Sequence, residues 1–146
     1  MPKLRHIALH TPDPEATAEF YKRVFEMKEV GKVQSPIAEG YYLSDGDLNV
    51  AILKFKDPAA ADRHDGLGPN VMGIHHMGFW VEEAEEVRQR LLEAGAEPRG
   101  DITPAGTSFF EEKWKGPDGV MIDISEHGWG GAKPPVTADE PAAARA

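Results

Sequence analysis

The chain has 146 residues, a formal net charge of −9 and no cysteine. Disulfides, thiolate nucleophiles and cysteine-ligated zinc are therefore excluded, and the acidic balance without a Lys/Arg cluster argues against a nucleic-acid or anionic-membrane partner. The length suits one domain, or two small modules that share a core. No apolar run approaches the roughly 20 residues of a membrane span, so we expect a cytoplasmic protein.

Two stretches of the sequence, offset by 70 residues, share one pattern. The alternating run Arg5–His10 leads into an amphipathic segment over 15–27, and the run 75–81 leads into another over 84–94. Each copy ends in an apolar strand, 48–55 in the first and 120–125 in the second. This pattern indicates a tandem duplication of a strand–helix–strands unit, with equivalent positions paired about a pseudo-twofold axis.

In the first module, Asp13 as N-cap and Pro14 as first helical residue predict where the helix begins. Apolar residues at three- and four-residue spacing predict its buried face: Ala18, Tyr21, Val24 and Phe25. Strands are predicted over 30–33, 38–43 and 48–55, the last two joined by a hairpin turn.

The linker 57–73 contains alanines, glycines and prolines without periodicity. In the second module, Gly95 is predicted to end the helix, and a type I turn over 116–119 is predicted between the strands 109–115 and 120–125. The Pro/Ala-rich segment 132–146 is predicted to be a disordered tail.

These elements predict an α+β fold with a single domain over 1–131. Its two tandem β-α-β-β-β modules, about 4–56 and 74–127, form a curved eight-stranded cup.

Strand alternation predicts a metal site in this cup. His6 and Ala8 share one face of the first strand, His76 and Gly78 share the equivalent face in the repeat, and Asp123 lies on the inner row of the last strand. Two imidazoles and one carboxylate suit Fe, Mn, Co, Ni or Zn as a divalent ion and leave coordination positions open. The two small residues leave room beside the histidines. A structural role for any single one of these histidines is the competing interpretation.

Other residues are assigned around that site. His10 lies about 13 Å further along the first strand and is predicted to line the substrate pocket. Aromatic side chains on the sheet are predicted to share that role: Trp80, Phe110 and Trp114. His75 falls on the opposite face of its strand, so its replacement is expected to leave the metal in place.

Residues 4–127 resemble the vicinal oxygen chelate superfamily, which includes glyoxalase I, methylmalonyl-CoA epimerase, extradiol dioxygenases and bleomycin-resistance proteins. The resemblance lies in the runs 5–9, 20–21, 76–79 and 116–123. It implies metal ligands at the positions of His6, His76 and Asp123, where aspartate replaces the usual glutamate. It also implies a small-molecule substrate chelated through adjacent oxygens, and a homodimer.

Two departures from the family pattern leave the reaction open. The first-module ligand, glutamate in glyoxalase I and glutamine in the epimerases, falls on Ala51 or Leu53. The tyrosine of extradiol dioxygenases falls on Lys113. Three interpretations follow: a metalloenzyme with lyase, isomerase or dioxygenase chemistry, a metal-free binder of the bleomycin-resistance type, or an interaction module, for which no sequence feature speaks.

Overall fold

A computed structural model of the protein describes residues 1–63, 66–100 and 111–135. Eight strands and three α-helices follow one another along these residues in the order β-α-β-β-β, α, β-α-β-β-β, and a short 3-10 helix, Pro117–Gly119, precedes the last strand. Their bounds are β1 Lys3–His10, α1 Pro14–Phe25, β2 Lys28–Gln34, β3 Ala38–Ser44, β4 Asn49–Phe55, α2 Pro58–Ala61, β5 Gly73–Trp80, α3 Ala84–Glu93, β6 Glu97–Pro98, β7 Glu111–Lys115 and β8 Met121–Ser125.

The strands form one curved, mixed sheet in the order β2-β3-β4-β1-β5-β8-β7-β6. Each module contributes one half, and the halves join where β1 pairs antiparallel with β5 of the same chain. Parallel pairs flank this seam on both sides, β1 with β4 and β5 with β8. The duplicated α+β architecture predicted from the repeat is thereby confirmed, and the modules pair within the chain.

The seam determines which side chains face the inside of the sheet. Along β1, burial alternates, and His6, Ala8 and His10 are all buried. Gly78 of β5 lies opposite His6 on one side and opposite Asp123 of β8 on the other. The inward faces of three neighbouring strands therefore meet at the middle of the sheet.

The helix α1 differs from its prediction. It begins as expected, with the Asp13 carboxylate accepting a hydrogen bond from the Ala16 amide, and it buries Ala18 against β3 and β4. Val24 and Phe25 were predicted to be buried, but they are 54% and 62% exposed. The helix contacts the sheet along a narrower stripe than its apolar spacing indicates, which leaves an apolar surface.

Two smaller expectations are corrected in the connecting segments, and part of a third lies outside the described residues. The linker contains the short helix α2, which Asp57 caps at its N-terminus. The turn over 116–119 is not type I, because Asp118 has a φ of 60° at its third position. Of the strand predicted over 109–115, residues 109 and 110 lie outside the described ranges.

Among the described residues, no helix combines the length and the apolarity needed to cross a membrane.

Candidate metal centre

Three predicted ligands converge at the middle of the sheet. His6 Nε2 lies 3.2 Å from His76 Nε2, and His76 Nε2 lies 3.1 Å from Asp123 Oδ2. One ligand atom from each residue falls within 4.8 Å of the others. The three side chains are 2%, 5% and 0% exposed, so the cluster is an interior feature.

Hydrogen bonds fix which nitrogen of His6 faces the cluster. The Asn49 amide Nδ2 donates to the Gly130 carbonyl at 2.8 Å, so Asn49 Oδ1 is the atom that faces His6 Nδ1, at 2.7 Å. Because that oxygen accepts only, His6 Nδ1 carries the proton. Burial and the nearby His76 lower the pKa of His6 to about 3, so the ring is neutral and its Nε2 presents a bare lone pair.

A β-bulge in β5 brings a neighbouring histidine, His75, into contact with His76. The β1–β5 register shifts between Ala8 and Leu9, which places the adjacent residues His75 and His76 against one step of the partner strand. His75 is consequently buried beside His76, with their Nδ1 atoms 2.7 Å apart. The prediction that His75 points away from His76 is wrong, because it assumed strict alternation.

The partners of His75 set the tautomer of His76. The Nε2 atom of His75 lies 3.1 Å from the Ala61 carbonyl and donates to it. Burial and His76 lower the pKa of His75 to about 3, so its Nδ1 is unprotonated and accepts from His76 Nδ1. His76 Nδ1 thus donates to His75, and the other ring nitrogen, Nε2, faces His6 and Asp123.

Two imidazole nitrogens and a carboxylate therefore face one another. Burial favours protonation of Asp123, but His76 and Lys113 hold the pKa of this carboxyl well below its usual range. Two imidazole nitrogens and a carboxylate are a donor set that divalent transition-metal ions bind. At metal–ligand bonds of about 2.0–2.2 Å, neighbouring ligands lie about 2.8–3.6 Å apart, and the two separations of 3.1 and 3.2 Å fit this range.

This arrangement predicts a loss of metal affinity when His75 is replaced. In His75→Ala, the His76 ring loses the acceptor that orients it and fixes its tautomer. We expect metal affinity to fall by about 10- to 100-fold, as is typical for changes to the hydrogen-bond partners of ligands. Isothermal titration with Co²⁺ or Zn²⁺ measures the change, and an affinity equal to that of the wild type would contradict this role.

A lysine and a second carboxylate border the three ligands. Lys113, opposite Asp123 on β7, donates to both carboxylate oxygens at 2.8 and 2.9 Å. Glu111 lies on the same row, 3.8 Å from the Lys113 ammonium. Burial and then the charge of Asp123 raise the pKa of Glu111. The described part of the centre thus contains a positive charge and a further carboxylate that sequence analysis left aside.

The segment 127–133 crosses the open side of the cup, and we call it the strap. Its Trp129 stacks on the His6 ring at 4.6 Å and an interplanar angle of 5°, and the indole Nε1 donates to Glu111. A Cβ on Gly78 would lie 2.7 Å from the Trp129 ring. The room beside Gly78 was predicted to admit a ligand, but the indole of Trp129 occupies it.

The strap is tied to the first module along its length. Ser44 donates to the Gly131 carbonyl at 2.7 Å, and the Lys133 amide donates to Asp47 at 2.9 Å. Arg5 donates to the Lys133 carbonyl at 2.8 Å. These contacts extend two residues past the predicted boundary at 131, into the segment predicted to be a tail, of which residues 136–146 lie outside the described ranges.

The structure separates the predicted pocket residues. His10 is buried edge-on to Phe55 and borders a cavity of about 310 Å³ near α2. Trp80 lies under Gly128 of the strap. Trp114 is 3% exposed on the other face of the sheet, in the core cluster under α3, because β7 alternation turns it away from Lys113. Phe110 lies outside the described residues.

The register also shows which residue of the first module corresponds to Asp123. Asp123 lies opposite Gly78, and the equivalent pair in the first module is Ala51 opposite Ala8. Ala51 therefore occupies the place that corresponds to Asp123, and its methyl group cannot bind metal. Asn49, the isolated amide at the start of an apolar strand, was the signal that sequence analysis overlooked.

Comparisons with known proteins agree with this architecture. A hypothetical protein from Bacillus halodurans C-125 superposes with a TM-score of 0.68 and 21% identity, over 85% of this chain and 93% of that chain. Methylmalonyl-CoA epimerase from Mycobacterium tuberculosis gives 0.64 and 19% identity, over 84% and 85%. A Streptomyces coelicolor methylmalonyl-CoA epimerase in complex with 2-nitronate-propionyl-CoA gives 0.59 and 18%, over 84% and 94%. At these identities the likeness establishes the fold.

A sequence comparison with curated proteins gives no match. The family model described as "Glyoxalase/Bleomycin resistance protein/Dioxygenase superfamily" matches residues 3–124. That range spans both modules and includes all three converging side chains. The chain therefore belongs to the glyoxalase/bleomycin resistance protein/dioxygenase superfamily, whose members commonly bind a divalent metal.

Proposed function

We propose that the protein is a metal-dependent enzyme in which His6, His76 and Asp123 hold one divalent ion. The observation that carries the proposal is the convergence of a carboxylate and two imidazoles whose outer hydrogen bonds fix both rings with Nε2 facing inward. Three protein ligands leave coordination positions for a small organic substrate that binds through adjacent oxygens. When bound, the metal supplies Lewis-acid polarisation of those oxygens.

Proton transfer at a carbon next to a substrate oxygen is the chemistry these side chains support best. Glu111 is a carboxylate on the inward row of β7, oriented by Trp129 and adjacent to Lys113. Its raised pKa suits a group that accepts a proton and returns it. Because Ala51 cannot serve as a base, we assign this role to Glu111, as in an isomerase or a lyase.

Metal analysis tests this proposal directly. The purified protein is supplied in turn with Fe²⁺, Mn²⁺, Co²⁺, Ni²⁺ and Zn²⁺, and bound metal is measured by mass spectrometry. We expect one ion per chain. The metal-loaded protein is then screened with 2-oxo and 2-hydroxy acids in D₂O, where proton transfer at carbon appears as loss of a proton NMR signal. Oxygen consumption with an iron-loaded sample would instead indicate a dioxygenase.

A metal-free small-molecule binder is the second candidate. It is favoured by the Lys113 ammonium, which already provides Asp123 with a positive partner, and by the indole that covers His6. Wild-type protein that takes up none of the five ions would contradict the metalloenzyme and favour the metal-free binder.

We also propose that the protein is a homodimer. The outer face of α1 exposes Phe20, Val24 and Phe25 at 53–62%, a grouping that marks interaction surfaces. We expect a dimer by light scattering at micromolar concentration, and a monomer for Phe20→Asp combined with Phe25→Asp. Leu92→Asp, on an exposed part of α3, is the control. A monomeric wild type would contradict the proposal.

A further inference from the structure

We propose that Lys113 competes with the divalent metal for the Asp123 carboxylate and thereby sets how tightly the centre binds metal. The inference rests on the proposed metal centre and adds to it a residue that opposes binding. The three proposed metal ligands stay the same. What the inference adds is that the affinity of the centre for metal depends on the positive charge of Lys113 beside them.

The contact between the two side chains is direct and involves the ligand oxygen. Lys113 Nζ lies 2.9 Å from Asp123 Oδ2, the same oxygen that lies 3.1 Å from His76 Nε2. It also lies 2.8 Å from Oδ1, so it engages both oxygens of the carboxylate. A metal bound to Oδ2 would therefore have the ammonium as its immediate neighbour.

The sheet prevents the ammonium from leaving easily. Lys113 and Asp123 are opposite one another in the β7–β8 register, and the Lys113 side chain is only 13% exposed. Its ammonium lies 2.8 Å from Asp123 Oδ1 and 3.8 Å from Glu111 Oε2, so two carboxylates hold it in place. The group is a fixed positive charge in an interior where like charges are poorly screened.

The charges of the centre explain the competition. Asp123 offers one negative charge, and Lys113 already neutralises it. A divalent ion at the triad must share that carboxylate with the ammonium, and among the described residues a second carboxylate, that of Glu111, lies 3.8 Å from Lys113. Removing the ammonium returns the full charge of Asp123 to the metal and releases Glu111 from its electrostatic partner.

The same ammonium stabilises the metal-free protein. Without metal, Asp123 is a fully buried carboxylate, and Lys113 is the charged side chain that donates to both of its oxygens. Replacing Lys113 should therefore have opposite effects on two measurable quantities. Metal affinity should rise, whereas the stability of the metal-free protein should fall.

The test compares Lys113→Met with the control Lys115→Met. Lys115 lies two residues further along β7, and its ammonium is 3.9 Å from Glu97. Dissociation constants for Mn²⁺ and Co²⁺ are measured by calorimetric titration of the full chain, and urea midpoints are measured with and without metal. We expect Lys113→Met to bind metal at least about 10-fold more tightly, because the repulsion between two close positive charges is removed. We also expect it to unfold at lower urea without metal, and to gain more from added metal than the wild type. Lys115→Met should match the wild type.

The outcomes separate this inference from the proposed function. If the wild type binds metal and Lys113→Met binds equally or more weakly, the competition is refuted while the metal centre stands. If only Lys113→Met binds metal, Lys113 blocks the site in the native protein, which supports the competition in its strongest form. If neither protein binds any of the ions, the metal centre itself is refuted, and this inference with it.

Discussion

Replacing His76 with alanine is expected to lower metal affinity by more than about 100-fold, the upper end of the loss caused by changes outside the ligand shell. His76 is the central member of the cluster, since its Nε2 lies within 3.2 Å of both His6 Nε2 and Asp123 Oδ2. Without it, one imidazole and a carboxylate already paired with Lys113 remain. Calorimetric titration and the metal content of the purified variant measure the effect.

The matched control is His127→Ala. His127 is exposed just past β8, and its ring does not belong to the cluster of His6, His76 and Asp123 among the described residues. His75→Ala cannot serve as the control, because its ring contacts His76. Equal metal content in the His76 and His127 variants would show that the ion binds elsewhere.

Replacing Asp123 with alanine is expected to destabilise the metal-free protein by about 3–5 kcal/mol, the usual effect of removing one member of a buried ion pair. The Lys113 ammonium would lose both of its hydrogen bonds to Asp123 and keep, among the described residues, the contact with Glu111 at 3.8 Å, and His76 would lose its carboxylate partner. Urea denaturation followed by circular dichroism gives the free energy of unfolding. Asp47→Ala, an exposed aspartate in the turn before β4, should change it by less than about 0.5 kcal/mol.

A double variant identifies the cause of that loss. Lys113→Met combined with Asp123→Leu removes both charges, and buried pairs replaced in this way are often neutral or stabilising. We therefore expect it to recover most of the stability lost in Asp123→Ala, although it cannot bind metal. A double variant as unstable as Asp123→Ala would show that packing, and not the unpaired ammonium, is responsible.

The fold could be predicted from the sequence because the duplication is visible in it. Residue alternation in β1 and β8 was sufficient to predict that His6 and Asp123 face inward. The small residues Ala8 and Gly78 marked where the two modules join. The bulge at His75 could not be predicted, since a register shift depends on the partner strand and not on the period of the strand itself.

Trp129 was missed for a different physical reason. It follows the last strand in a glycine-rich run without periodicity, and its contacts with His6 and Gly78 join residues far apart in the sequence. Nothing local indicates them. The outer face of α1 was predicted to be buried, but it is exposed. Apolar spacing predicts an apolar face, but it does not indicate whether the sheet or another molecule covers that face.

The stacked pair of Trp129 and His6 gives the protein an intrinsic optical signal. An indole in contact with a ligand imidazole is close enough for a paramagnetic ion such as Co²⁺ or Ni²⁺ to quench its emission, whereas diamagnetic Zn²⁺ would change mainly its wavelength. Trp80 and Trp114 supply a background that Trp129→Phe would leave in place. Occupancy of the centre, and displacement of the strap by any ligand, can thus be followed in real time without an added dye.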